Sequence, residues 1–379
     1  MAEPQPVAAT PVPALAPGEQ APASAKAAAT PAQQAMPALS PTTPTAVRAR
    51  PSGGRAGATS AAAGIRRRLE ERRGLPSSAY LSMAAACLAM ALLLLAAPGV
   101  TARLMFNKHY ANPIDAQHTI LLRLLGGASF VGAAAAAAIA SGSWGGDGER
   151  SADLAKLALL GQGLANALTF AYYSNTIHRL NLPAELVVNG ACALLPAMDL
   201  LSTGRYRGLL SELGRRLAAP PAGAPLLAVA HYTLAVLFPL SGVALFYFPH
   251  TALYHFFGYS YGASTFLLSK LAGVVDKALM PVLNLLLKDA ADRAALRSRA
   301  ARLLNTGQLL CALVHIATLL PYMAREGGGW MLPMNLATWV LAFVTSAAGL
   351  VVGASGRAGS SGQPSMGQPT LAEPAAKAE

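Results

Sequence analysis

Long blocks of apolar residues dominate this sequence between residues 78 and 354. A helix of about 20 apolar residues matches the thickness of the hydrocarbon core of a bilayer. Inside lipid, one segment can satisfy all its backbone hydrogen bonds only as a helix. The sequence therefore predicts an all-α, polytopic integral membrane bundle of about eight transmembrane helices. The predicted spans are 78–100, 118–141, 154–174, 183–202, 224–248, 262–287, 303–323 and 331–354.

The composition agrees with a chain that lives in lipid. Hydrophobic residues make up 54% of the sequence and charged residues 12%, whereas a soluble domain carries about 25% charged residues. The net charge of +12 comes from basic clusters that flank the apolar blocks. A nucleic-acid-binding face would instead interleave basic with aromatic residues on a soluble surface. We therefore expect the lipid bilayer as a partner and no nucleic acid.

The sequence divides into four segments. Residues 1–76 form an Ala/Pro-rich tail that ends in a basic segment, and its composition predicts disorder because it cannot bury enough apolar area. Residues 77–218 and 219–355 form a first and a second four-helix transmembrane unit. Residues 356–379 form a second tail that is also predicted to be disordered.

The N-terminal tail bears on the choice of membrane. It lacks the charged and apolar regions of a secretory signal peptide. The tripeptide Val47-Arg48-Ala49 resembles a processing site of algal chloroplast peptides. Against this, Glu3 and Glu19 are acidic residues of the kind that transit peptides avoid. A chloroplast membrane is therefore one alternative among several.

Lysine and arginine are concentrated in every second connection between the predicted spans. The connections on one side hold Arg150, Lys156, Arg205, Arg207, Arg215, Arg216, Lys288, Arg293, Arg297, Arg299 and Arg302. The opposite connections hold only Arg103, Lys108, Arg179 and Arg325. Because short basic connections stay in the cytosol, both termini are expected on the cytosolic side, or on its stromal or matrix equivalent.

The two units share features that recur in the same order, at separations near 150 residues. The pairs are Pro98/Pro249, Phe106/Phe257, Arg123/Lys270, Gly126/Gly273, Gly161-Gln162/Gly307-Gln308 and Leu182-Pro183/Leu332-Pro333. A duplication with an even number of spans per copy would give two parallel four-helix repeats about an axis along the membrane normal. The alternative is that apolar helices with basic ends look alike without common descent.

The sixth predicted span carries most of the intramembrane polar residues. Lys270, Lys277 and Asn284 recur every seven residues, and Asp276 lies beside them. Together with Arg123 they form a candidate intramembrane polar site, because charges within a span usually face the bundle interior or a water-filled cavity. Asp276 and Lys277 point in different directions, so each is expected to find its partner on another helix. Alternatively, the span is tilted and Lys270 and Arg123 extend to the interface.

The sequence indicates no catalytic chemistry. It has no Walker A loop, HExxH, GxSxG or dinucleotide fingerprint, so we expect neither an enzyme nor a cofactor. No two histidines have the spacing of a helical metal site, and Cys87, Cys192 and Cys311 lie singly in apolar blocks. We therefore expect no metal. Two functions remain, namely a transporter or channel for a small solute or lipid, and a membrane scaffold or assembly factor with a disordered cytosolic tail.

Overall fold

The computed structural model describes residues 75–106, 115–144, 148–174, 177, 182–222, 225–258 and 262–355. Within these ranges all regular secondary structure is helical, which confirms the all-α prediction. Apart from Leu75 and Pro76, the two tails that are predicted to be disordered lie outside the described residues.

The helices follow one another with short connections. They are α1 Ser77–Ala96, α2 Pro98–Met105, α3 Ala116–Ser141, α4 Gly148–Ser174, α5 Leu182–Thr203, α6 Leu209–Ala218, α7 Leu226–Tyr247, α8 Pro249–Phe257, α9 Ala263–Val274, α10 Met280–Asp292, α11 Arg299–Glu326 and α12 Met331–Ser355. A single π-helical turn, Val275–Leu279, joins α9 to α10, so that these three elements form one continuous path.

Six helices are long and apolar enough to cross a membrane, namely α1, α3, α4, α7, α11 and α12. Their outward side chains include exposed large apolar residues such as Leu92, Leu240 and Val344. A soluble protein rarely exposes so much contiguous apolar surface. These helices indicate an integral membrane protein.

Two further predicted spans are helical but do not belong to these six. The fourth coincides with α5, which has 22 residues. The sixth coincides with the α9–α10 path, which the π turn divides and which contains Lys270, Lys277 and Lys288. The number of eight spans therefore remains a prediction.

Proline ends the first long helix of each half in the same way. Pro98 starts α2 and Pro249 starts α8, at a helical position where the missing N–H costs nothing. The residues before them adopt similar backbone angles, with φ −136° and ψ 56° at Ala97 and φ −123° and ψ 51° at Phe248. Each long helix is thus followed by a short helix across a sharp bend.

Two paths lie at the centre of the bundle, α3 and the continuous α9–α10 path. Helix α3 packs against α1, and the α9–α10 path packs against α7. Helices α4 and α5 form one pair, and α11 and α12 form another. Each central path also crosses to the other half, because α3 packs on α11 and the α9–α10 path packs on α4.

Glycines allow the central crossings to be close. A Cβ atom on Gly126 of α3 would lie 3.0 Å from Cβ of Leu94 on α1. On Gly307 of α11 it would collide with Ala134 of α3. Small residues at such crossings let helix backbones approach in membranes. The glycines therefore set the distance between α3 and its neighbours.

The connections gather at two ends of the bundle. At one end Arg216 binds Asp289, and the amide of Ala300 donates to the carbonyl of Ser143 at 3.1 Å. At the other end the amide of Gly329 donates to the carbonyl of Phe256 at 3.2 Å. This arrangement agrees with the alternation of basic residues, while the side of the membrane at which each end lies stays a prediction.

Candidate functional site

The π turn lies where α7 and the α9–α10 path are in backbone contact. A Cβ atom on Gly242 of α7 would lie 2.7 Å from the carbonyl oxygen of Gly273 and 2.6 Å from the amide nitrogen of Lys277. Only glycine permits this approach. Single π turns inside α-helices occur frequently at functional sites. The turn Val275–Leu279 carries Asp276 and Lys277, two of the candidate residues.

Asp276 is buried in the interior of the bundle. Its residue is 6% exposed, and Ser241 Oγ donates a hydrogen bond to its Oδ2 at 3.2 Å. Ser241 in turn accepts from Nδ2 of Asn335, 3.4 Å away on α12. Among the described residues, no lysine, arginine or histidine forms an ion pair with Asp276. The expected partner on another helix exists, and it is a neutral hydroxyl.

A small cavity of about 30 Å³ adjoins this carboxylate. Asp276, Asn335, His315 and Trp339 contribute to its wall. The His315 ring stacks on Trp339 with centroids 3.7 Å apart, and its Nδ1 lies 2.9 Å from the carbonyl oxygen of Cys311. Because a carbonyl only accepts, Nδ1 carries the proton and Nε2 carries the lone pair. The volume is about that of one water molecule.

The two lysines of the predicted polar stripe face an aromatic pair instead. Lys277 Nζ lies 3.0 Å from the ring centroid of Phe246 and 4.8 Å from that of Tyr247. Lys270 Nζ lies 5.0 Å from the same Phe246 ring and 6.0 Å from the ring of Tyr173. Cations are attracted to the faces of aromatic rings. Both ammonium groups are therefore held at the end of α7, where the bundle turns into α8.

Asn284 belongs to a separate buried cluster. Its Oδ1 accepts from Nδ1 of His231 at 3.1 Å and from Nε2 of Gln308 at 3.2 Å, and its Nδ2 donates to the Met280 carbonyl at 3.0 Å. The predicted stripe assumed regular α-helical spacing from Lys277 to Asn284. The π turn changes that spacing because its hydrogen bonds span five residues rather than four.

Arg123 lies apart from the other candidates. It is exposed on α3, and it lines neither this cavity nor the larger one described next. The structure thus places Asp276 with Ser241 and Asn335, places the two lysines with Phe246, and leaves Asn284 and Arg123 elsewhere.

A larger cavity of about 310 Å³ lies in the first half of the chain. Its wall comes from α1 to α5 and from the α9–α10 path, and most of it is apolar. Gln162, Asn166 and Asn189 are amides in that wall. Asn166 donates from Nδ2 to Oδ1 of Asn189 at 3.2 Å, while its own Oδ1 is buried and has no hydrogen-bond partner within the described ranges. The cavity wall therefore includes an amide whose oxygen has no hydrogen-bond partner among the described residues.

Sequence reasoning did not identify these amides as a site. In the sequence Gln162 marks the repeat, and Asn166 and Asn189 lie in two different predicted spans. A signal was present, because Gln162 and Asn166 are four residues apart and share one helix face. His231 and Gln308 were also missed as partners of Asn284. Each is a single polar residue on a different helix, so no pattern within one helix links them.

A third polar cluster closes the basic end of the first half. Lys156 Nζ lies 3.2 Å from Asp153 and 3.0 Å from Asp199, and the hydroxyl of Tyr80 donates to Asp199 at 2.8 Å. These contacts join α1, α4 and α5. In this cluster two carboxylates share one ammonium group and a tyrosine hydroxyl, and it lines neither cavity, so its role is to hold the three helices together.

The part of the chain that the structure describes contains no group of three or more His, Cys, Asp or Glu residues that could hold a metal ion. No protein-family model, no curated protein and no solved structure matches this chain. The geometry of the cavities and the buried polar groups therefore carries the functional argument.

Proposed function

We propose that this membrane protein is a transporter for a small lipid-like solute, which binds in the 310 Å³ cavity of the first half. The observation that carries the proposal is the combination of that volume with the unpartnered acceptor of Asn166. Small-molecule sites have volumes from about 300 Å³ upward, with mostly apolar walls and a few polar groups that orient the ligand. The proposal needs no catalytic group.

The cavity wall limits the chemistry of the solute. Its volume of about 310 Å³ equals about ten water molecules. Side chains such as Met90, Leu94 and Phe170 would surround an apolar body, and Asn166 Oδ1 would accept a hydrogen bond from a hydroxyl or amide group. No ionisable side chain occurs among the lining residues. An uncharged solute with one or more donors fits best.

Entry from the bilayer is supported by two residues of the wall. Leu93 and Leu104 line the cavity, and they are also 37% and 54% exposed on the lipid-facing surface. A solute dissolved in the membrane could therefore enter sideways, between α1 and the short helix α2. This route suits a lipid better than a water-soluble ion.

We also propose that eight helical paths span the membrane as two parallel repeats, with both termini on the cytosolic side. The cross-packing of α3 on α11 and of the α9–α10 path on α4 supports this arrangement, as do the bends at Pro98 and Pro249. Gly126 and Gly273 each sit where a central path meets the preceding long helix. These shared features support duplication more than common composition.

The residues that line the two cavities also support the proposed duplication. Positions separated by roughly 150 residues line one cavity or the other, and the pairs are Leu94 and Leu245, Met105 and Phe256, Ser129 and Asp276, and Asn189 and Trp339. Leu271 of the second half closes the first cavity, and Leu124 of the first half closes the second. Each half would then offer an equivalent site with different side chains.

Transbilayer movement of a glycolipid tests the transport proposal. The purified chain is reconstituted in vesicles that contain glucosylceramide with an NBD-labelled acyl chain, an uncharged lipid whose sugar headgroup carries several donors and is the part that would pass through the cavity. Externally added dithionite destroys only the label that reaches the outer leaflet. We expect wild-type protein to expose the inner-leaflet pool within minutes, while protein-free vesicles retain it.

The variant Ser129→Phe fills the cavity and should abolish this movement. Thr233→Phe is its matched control, because both hydroxyls bond to the carbonyl four residues earlier at 3.0 Å, yet Thr233 is exposed to lipid on α7. Equal movement with both variants would contradict the cavity as the site. If wild-type vesicles retain the label as protein-free vesicles do, and a panel of other uncharged lipids gives the same result, the scaffold function replaces transport.

A further inference from the structure

We propose that Asp276 is a proton-binding site in the middle of the bundle, with His315 as a second proton acceptor across the same small cavity. Binding of the proton is a property of this site alone. Only the further step, in which the proton drives solute movement, rests on the proposed function.

The first argument is the lack of a counter-charge. An ionised carboxylate inside a low-dielectric interior is neutralised by a partner or by a proton. The other buried acidic side chains of the described residues, Asp153 and Asp199, share Lys156. Asp276 is equally buried but receives only the hydroxyl of Ser241. A proton is the simplest neutralising partner that this environment admits.

The second argument comes from the inventory of donors and acceptors. Asn335 donates to Ser241, and Ser241 donates to Oδ2 of Asp276, so this chain occupies one carboxylate oxygen. The other oxygen, Oδ1, makes no hydrogen bond within the described part of the chain. The imidazole of His315 keeps a lone pair on Nε2, because its Nδ1–H is engaged with the Cys311 carbonyl. The wall of the cavity thus holds two bases, and the indole N–H of Trp339 and the second N–H of the Asn335 amide are further donors there.

The third argument is that the site has too few ligands for a metal ion and can accommodate a proton. Hard cations such as Mg²⁺ and Ca²⁺ require about six or more oxygen ligands. The cavity of about 30 Å³ offers Asp276 and Asn335, and it has room for about one water molecule. That set is too small for such a cation. A single water between the carboxylate and the histidine would suffice to pass a proton between them.

The ionisable groups on the neighbouring elements do not form ion pairs with Asp276 among the described residues. From α11 the titratable groups are Cys311 and His315, while α7 and α12 contribute the neutral Ser241 and Asn335. On the α9–α10 path itself, Lys270 and Lys277 are held over Phe246.

The remaining titratable groups on the elements packed against the π turn are engaged elsewhere or exposed. His231 of α7 is bonded to Asn284 of α10. Lys156 of α4 is bonded to Asp153 and Asp199, and Arg123 of α3 is exposed.

Infrared difference spectroscopy of the full chain in lipid nanodiscs tests the proposal directly. A protonated carboxyl group has a C=O stretch that an ionised carboxylate lacks. Spectra are compared from about pH 5 to about pH 9. We expect a carboxylic-acid band in wild type that disappears as the pH rises, and its complete absence in Asp276→Asn.

Asp115→Asn is the matched control for the loss of one carboxyl group. Asp115 caps α3 and is 52% exposed, and asparagine caps a helix as well as aspartate does. This variant should keep the band. If Asp276→Asn does not fold, Ser241→Ala takes its place, since loss of the hydroxyl donor should enlarge the band at a fixed pH. A wild-type spectrum without any titrating carboxylic-acid band, or a band that Asp276→Asn and Ser241→Ala leave unchanged, overturns the proposal.

A pH-sensitive dye inside the glycolipid vesicles separates the proton site from its use. Coupled transport predicts that movement of the labelled lipid acidifies or alkalises the lumen in wild type and does not in Asp276→Asn. If the infrared band is present but lipid moves without any proton, the site stands and the coupling is wrong. If the band is present and no lipid moves, the proposed transport fails while Asp276 remains a proton site.

Discussion

In the proposed duplication, the two halves use corresponding positions to different ends. Beside α2, the first half leaves a cavity of about 310 Å³, whereas the cavity beside Asp276 in the second half has about 30 Å³, and a separate groove of about 200 Å³ lies between α7 and α12. Where the first half has Met105, Ser129 and Asn189, the second has Phe256, Asp276 and Trp339. We propose that the helix packing is similar in the two halves and that side-chain volume decides which of these two cavities is open.

The contrast teaches how one framework can hold two kinds of site. Trp339 packs between His315 and Phe238, with ring centroids 3.7 Å and 4.9 Å away, and fills the volume that Asn189 leaves free. The space that remains beside Trp339 suits one water and a carboxylate. The open cavity suits an apolar molecule instead. We propose that the first half binds the solute and the second half binds the proton.

The largest effect should come from removing the side chain that fills the second half. Trp339→Ala is expected to cost about 4 kcal/mol, because a buried tryptophan leaves a cavity that the neighbours only partly close. Trp330→Ala is the control, since Trp330 is 60% exposed and Trp339 is 2% exposed. Thermal unfolding in detergent measures both. Equal destabilisation by the two variants would show that Trp339 is not what keeps the second cavity closed.

The contact between the halves should give the next largest effect. Arg216 of α6 is buried and binds Glu212 and Asp289, each at 2.7 Å. Arg216→Met should cost about 2 kcal/mol because the partly buried carboxylates of Glu212 and Asp289 lose the buried cation that they share. Arg215 and Lys288 remain beside them. The neighbouring Arg215 is 73% exposed in its side chain, so Arg215→Met should cost less than about 1 kcal/mol. Chemical denaturation of the two variants compares them, and the reverse order would contradict this role for Arg216.

Solute affinity should change more than stability when the free acceptor of the first half is removed. Asn166→Leu deletes one hydrogen bond to the solute, so binding of the labelled glycolipid should weaken about tenfold. The thermal midpoint should fall only slightly, because leucine suits the apolar wall while the hydrogen bond from Asn166 to Asn189 is lost. Fluorescence titration in nanodiscs measures the affinity. Unchanged binding would mean that the amide pair does not orient the solute.

The smallest expected effect is the loss of stability of α6 at acid pH. Hydrogen bonds from Arg215 and Arg216 hold the pKa of Glu212 below its ordinary range. A lowered folded-state pKa means that the stabilisation is complete above the unfolded value, about pH 4.3, and is lost as the pH falls through the folded value. Because Glu212 lies near the surface, the loss should be below about 1 kcal/mol. Hydrogen exchange of α6 amides at pH 6 and pH 3 should differ more in wild type than in Glu212→Gln.

Much of the fold was predictable because apolar length and periodicity are local properties. Every predicted span coincides with helix, although α4 begins at Gly148 rather than near residue 154. That first turn and a half was assigned to a connection because it is charged, yet Asp153 and Lys156 are buried within their own ion-pair cluster. An ion pair between two helices cannot be predicted from the sequence of one helix alone.

The candidate site was predictable only in part. Ser241 of α7 donates the hydrogen bond that Asp276 receives from another helix, and a functional role for Asp276 stays a prediction. The stripe of Lys270, Lys277 and Asn284 also stays a prediction, and the sequence Val-Asp-Lys-Ala-Leu does not reveal the π turn that interrupts its spacing. The amides of the large cavity were missed because they converge only after α4 and α5 pack.

Photolabelling tests most directly whether the first half holds the open site. The wild-type chain in nanodiscs is irradiated with a ten-carbon alcohol that carries a diazirine, and the modified peptides are identified by mass spectrometry. The account predicts labelling concentrated on cavity residues of the first half, such as Met90, Ser129 and Phe170, which excess unlabelled alcohol removes. The positions at Leu245 and Asp276, which correspond to Leu94 and Ser129 and line the small cavity, should remain unlabelled. Equal labelling of both halves, or labelling confined to the lipid-facing surface, would contradict it.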